Sequence, residues 1–224
     1  MARSPWVLLA ATVLVLLGST ACCRAGTSDY RPRSNVTATV FWVGEPASPD
    51  NDHIANRSSA WVRDWQGSFG GVDDPRARTP DGKWPAAFRP RENPFYFALP
   101  YGEFTDAGTV RADVIRVPWY DPADPPQHGR SILKNRWIEV RSGDRTAYAQ
   151  WEDVGPFQTD DADYVFGHAR PKEPRAGLDL SPATAAALGL DGRGEVSWRF
   201  VEEGEVPAGP WTEIVTRTGG AGQR

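Results

Sequence analysis

The chain has 224 residues, 40% apolar and 24% charged, which supports one elaborated globular domain and excludes a polytopic membrane protein or wholesale disorder. Lys plus Arg total 25 against 29 Asp plus Glu, a formal net charge of -4, so nothing draws the chain as a whole to a phosphate backbone and nucleic acid is not expected as a partner. With 22 Gly, 20 Pro and 10 Trp, the composition favours short strands and many turns over long helices and predicts an all-β, loop-rich protein.

Arg3 precedes a run at 6–17 that is apolar apart from Thr12, and Gly18, Ser19, Thr20 and Ala21 follow with the small side chains that a signal-processing enzyme requires. Residues 1–21 therefore read as an export signal, destined for the cell envelope or secretion; the 12-residue run falls short of the roughly 20 a membrane span needs. Cys22 stands where bacterial lipoproteins carry an acylated cysteine, although Ser19 occupies the usual Leu position, and a lipid anchor there is the one membrane attachment the sequence offers. Cys22 and Cys23 are the only cysteines, so the mature body has neither an internal disulfide nor a thiolate metal site. His53, His128 and His168 lie far apart without ligand spacing, and neither a metal nor another cofactor is expected.

Residues 22–35 read as a linker, 36–217 as one domain and 218–224 as a tail. The run TATVFWV at 37–43 is β-branched and aromatic, a strand stopped by Gly44 and Pro46. An insert at 45–94 follows, with a short helix expected around 58–65. FYFAL at 95–99 and DVIRV at 113–117 read as strands closed by prolines, the second within a further insert at 102–131. Runs at 136–141 and 145–151 flank Ser142-Gly143-Asp144 as a hairpin. After a third insert at 158–176, Ser181 and Pro182 open a short Ala-rich helix that Gly189 stops. Runs at 195–201 and 211–216 read as the last strands. The acidic run Asp160-Asp161-Ala162-Asp163 reads as a solvated loop in preference to a calcium site.

The closing third carries a more specific signal, with Asp153-Val154-Gly155-Pro156-Phe157 after a strand and Leu178-Asp179-Leu180-Ser181 before the Ala-rich helix. This order resembles the double-psi β-barrel domain of rare lipoprotein A, a bacterial septal-wall lytic transglycosylase, and of its barwin and expansin relatives. In that family the corresponding motifs are Asp-Arg-Gly-Pro-Phe and Ile-Asp-Leu-Ser; here Val154 replaces the Arg. ATVFWVG at 38–44 also looks like the family's opening strand, and together the matches cover about half the mature chain. The family's Ala-His-Lys-Thr-Leu-Pro stretch is missing; His128 falls near its place in an unrelated PPQHGRS context and reads as a loop histidine.

The resemblance implies a six-stranded double-psi β-barrel with short helices and long loop inserts, whose groove binds a polysaccharide. A lytic transglycosylase can cleave with one acid, because the muramic sugar's own hydroxyl attacks the anomeric carbon. Asp153 is the candidate general acid and base, its proton affinity raised if Trp151 or Phe157 desolvates it; a turn aspartate that accepts main-chain N–H groups is the alternative. Asp179 is either a second catalytic carboxylate or a brace for the helix capped by Ser181. Substrate contacts are expected from Tyr101 and Glu103, from Trp61, Trp65, Trp84 and Trp119 in the inserts, and from Trp151 beside the turn, because flat rings stack on sugar faces. Two functions stay open: a peptidoglycan-cleaving enzyme, or a non-catalytic module that binds or loosens a cell-wall glycan. Oligomeric state is not legible in the sequence.

Overall fold

The computed structural model describes residues 30–51 and 53–217; the expected export signal at 1–21, Cys22 and the expected tail at 218–224 lie outside the described residues. Alternation with a period of two decides the architecture. Val36 and Ala38 of β1 (Arg33–Val40), Phe97 and Leu99 of β2 (Tyr96–Leu99), and Ile138 and Val140 of β3 (Trp137–Ser142) turn to one side. Ala147, Ala149 and Trp151 of β4 (Arg145–Val154), Leu178 and Leu180 of β5 (Leu178–Leu180), and Val196, Trp198 and Phe200 of β6 (Arg193–Val201) meet them in one core cluster. A sheet with one apolar face can bury it by curling on itself. The six strands close into a barrel in the order β1-β5-β2-β4-β3-β6. The expected six-stranded closed barrel is thus observed, and its sheet is mixed: the β1/β5 and β2/β4 pairs are parallel and the other four are antiparallel. Alanines at 38, 147 and 149 leave room inside for Trp151 and Trp198.

Three local expectations need correction. Residues 113–117 form no strand but part of a 3-10 turn (Ala112–Arg116), because the chain buries Val114 and Val117, three apart, and leaves Ile115 71% exposed. Residues 211–216 are likewise not a strand: a 3-10 turn (Pro210–Thr212) leads to Thr216, whose N–H donates to the Gln150 side chain. The short helix of the first insert starts later, as α1 (Trp65–Phe69), where Asp64 accepts from Gly67 N. Two elements were not anticipated, β5 and α2 (Ala162–Val165). Helix α3 (Pro182–Leu188) is as read, with Ser181 Oγ accepting from Thr184 N and Gly189 at φ 69 ending it; such a cap contributes about 1 kcal/mol.

The first insert has its own core. Tyr96 and Ala98 of β2 point out of the barrel into a second cluster with Phe41, Val43, Trp65 and Phe69. Tyr96 Oη accepts from Val43 N at 2.9 Å and donates to Asp73 at 3.0 Å, and Asp73 forms a buried ion pair with Arg78. The insert is thereby fastened over the outer face of β2, next to the strands that carry Asp153 and Asp179.

Candidate functional site

Strict alternation along β4 would turn Asp153 inward with Ala149 and Trp151. A bulge prevents it: Phe97 pairs with Trp151, the next residue Ala98 pairs with Asp153, and Glu152 is the extra residue between. Such a bulge re-aims the side chains beyond it. Asp153 therefore shares the outward face of Ala98. Ala98 also pairs with Asp179 of β5 on its other side, and Asp179 pairs with Thr39 of β1. Thr39, Asp179, Ala98 and Asp153 thus form one row across four neighbouring strands. With strands about 4.8 Å apart, the two aspartates are on the order of 10 Å apart at Cα, with only an alanine between them.

Asp153 is half-buried, and its Oδ1 accepts two main-chain N–H groups at 2.8 Å, from Ala60 of the first insert and from Val154. Asp179 Oδ1 accepts from Thr39 Oγ1. Among the described residues neither Oδ2 atom makes a hydrogen bond, and neither carboxylate has an ion-pair partner. Burial pushes Asp153 up to about 7, against the pull of the two N–H groups, and the neighbouring Asp179 adds to the rise. Burial likewise raises Asp179 to about 6, opposed by Thr39. With both N–H groups on Oδ1, the proton of neutral Asp153 resides on Oδ2. The site can thus hold and donate a proton near neutrality.

Sequence reasoning missed Glu45. This residue is 8% exposed, its Oε2 accepts from Asn56 Nδ2 at 2.9 Å, and burial raises it to about 7, with Asp179 contributing. Its place directly after the Gly44 that ends the opening run was the available signal, but the residue was assigned to the insert. The residue before Asp153 has a different fate: Glu152 is buried against Lys134, with 2.6 Å between Oε2 and Nζ, and its Oε1 has no partner.

The expected substrate contacts divide sharply. Trp65, Trp151 and Tyr101 are 1%, 0% and 0% exposed, so they are packing residues and not sugar platforms. Trp65 fills the insert's cluster, Trp151 stacks on Phe97 in the barrel, and Tyr101 donates to Asp113. Glu103 is also sealed, accepting from Trp61 Nε1 at 3.2 Å, and cannot reach a groove. For the aromatics the error has one cause, since a large ring in a loop-rich sequence does not declare which side of the barrel it fills. Trp61, Trp84 and Trp119 keep partial exposure. Trp61 packs edge-on against Trp151 and lines a cavity of about 400 Å³ together with Ala60, Phe104, His128 and Lys134. His128 stacks on Phe104 and bonds the Gly108 carbonyl, as a loop histidine does. Trp84 and Trp119 lie beneath the guanidinium groups of Arg89 and Arg136. In the acidic run, Asp161 caps α2, Asp160 pairs with Lys172 and Asp163 pairs with Arg116.

No family model matches the chain, and no curated protein matches it. Among solved structures, a Streptomyces papain inhibitor is similar at 16% identity and a TM-score of 0.33, over 77% of this chain and 96% of that one.

Proposed function

We propose that this chain is an exported protein acting on a cell-wall glycan, with Asp153 as the general acid that protonates a glycosidic oxygen. The observation that carries the reading is the pairing of Asp153 and Asp179 across Ala98 on the outer face, both with raised proton affinity and neither neutralised by a cation. Glycosidic cleavage needs a carboxyl that is protonated near working pH. Asp153 Oδ2 supplies it, and the N–H groups of Ala60 and Val154 keep the conjugate base oriented on Oδ1 after the proton leaves. The motif resemblance to rare lipoprotein A supports peptidoglycan as the substrate class and intramolecular attack by the muramic hydroxyl as the second half of the reaction.

The strand geometry offers a role for Asp179 as well. For a hydrolase, with Asp179 as the second carboxylate, carboxyl separations of about 6.5–9.5 Å serve inverting chemistry and about 5 Å retaining chemistry. The contact from Ala60 favours a second reading, a glycan-binding barrel in which Asp153 anchors the insert. Digestion of purified peptidoglycan separates them. Anhydro-muropeptides that vanish with Asp153→Asn establish cleavage by transglycosylation, and new reducing ends establish hydrolysis. Sedimentation with the polymer and no soluble product establishes binding alone.

A further inference from the structure

The opposite end of β1 holds a second site of different chemistry. Two cavities of about 450 and 170 Å³ share Arg31, Arg33, Gly167 and His168 and therefore form one cleft. Arg170 lines its narrower part, and no Asp or Glu lines either part. Arg33 and Arg170 build the walls: Arg33 donates to the carbonyls of Val165 and Arg31 at 2.7 Å, and Arg170 donates to those of Ser34 and Asn35 at 3.1 Å. Arg31 and His168 are exposed, and among the described residues their side chains have no hydrogen-bond or ion-pair partner. Carboxylates on adjoining elements are already engaged, Glu202 by Tyr30 at 2.8 Å and Asp163 by Arg116. The wider part of the cleft is floored by half-buried Tyr30 and Phe166, which pack on the core residue Phe200 beneath them.

We propose that this cleft binds an acidic saccharide unit, its ring against the aromatic floor and its carboxylate or phosphate between Arg31 and His168. A guanidinium fork matches either anion in a bidentate fashion, and aromatic rings cover the apolar face of a sugar. One unengaged guanidinium on a chain of formal net charge -4 suits a unit with one or two charges and not a polyphosphate backbone. Arg33 and Thr39 are six residues apart on one strand, which sets the cleft about 20 Å from the aspartate row. Binding here is therefore separable from cleavage there.

The test is a calorimetric titration of the purified chain with glucuronate and glucose 6-phosphate, beside glucose, inorganic phosphate and adenosine monophosphate. Saturation by glucuronate assigns a carboxylate source and saturation by glucose 6-phosphate a phosphate source. Glucose is expected to bind at least roughly tenfold more weakly, and Arg31→Ala and His168→Gln each to cost roughly tenfold. Both variants are expected to melt with the parent, since neither side chain is bonded, and Asp153→Asn is expected to bind the acidic sugar unchanged. The proposal is overturned if neither acidic sugar saturates, if glucose, phosphate or the nucleotide binds as tightly, or if a chain carrying both Arg31→Ala and His168→Gln retains binding.

Discussion

The two ends of β1 carry opposite electrostatic problems and solve them differently. At the end marked by Thr39, Asp179 and Asp153 stand without a cation, and the cost of burial is relieved by a proton. At the end marked by Arg33, guanidinium groups stand without a lining carboxylate; those of Arg33 and Arg170 are satisfied by main-chain carbonyls and that of Arg31, among the described residues, by none. Glu152 shows a different outcome of burial. One residue before Asp153, it is removed from solvent beside Lys134, and burial raises it to about 7 against the pull of that ammonium. Both neighbours bind a proton readily, but Glu152 is sealed, whereas half-buried Asp153 can give its proton to a ligand.

The comparison is broken most directly at the acidic end. Asp153→Asn keeps the acceptor oxygen for Ala60 and Val154 but has no acidic proton, so product release from peptidoglycan is expected to fall by about 10²–10⁴-fold while polymer binding persists in a sedimentation assay. Asp179→Asn has a smaller effect. The Asp179 charge helps raise Asp153 to about 7, so its loss lowers that value, moves the alkaline limb of the rate profile to lower pH and reduces the rate at neutral pH by up to roughly tenfold.

Stability follows the same groups. Burial raises Asp153, Glu45 and Glu152 to about 7 and Asp179 and Asp73 to about 6, above the ordinary carboxyl range, so the folded chain binds more protons than the unfolded one in that window. Their contribution is complete below the unfolded values and is lost as pH rises through the folded ones. Thermal melts are therefore expected to drop by on the order of 5 °C between about pH 4 and pH 8, and Asp153→Asn should flatten part of that slope. The smallest effect sharpens the contrast between the ends. Raising salt from about 50 to about 200 mM is expected to weaken acidic-sugar binding a few-fold while leaving the pH profile of cleavage nearly in place, because buried charges are screened less than exposed ones.

Legibility in the sequence tracked locality. The hairpin around Gly143 and the helix between Ser181 and Gly189 follow from residues within a few positions of each other, and both are present as read. The bulge at Glu152 depends on how β4 meets β2, more than fifty residues earlier, and no pattern inside β4 announces it. β5 is three residues long, too short to display a period. Asp153 and Asp179 were singled out by their motifs, but their alignment on either side of Ala98 is a property of the closed barrel alone. Trp65 and Trp151 mislead for the converse reason, since composition cannot distinguish a ring that meets a ligand from one that fills the interior.

The surplus residue in β4 means that the orientation of the acid is stored as a count. Removing Val154 would let Glu152 pair with Ala98 and Asp153 with Leu99, swinging Asp153 towards the barrel axis and carrying the Glu152 carboxylate outside, whereas removing Glu152 would straighten the strand and leave Asp153 facing out. Side-chain exchange can silence this aspartate, but only a change in chain length can reverse its direction.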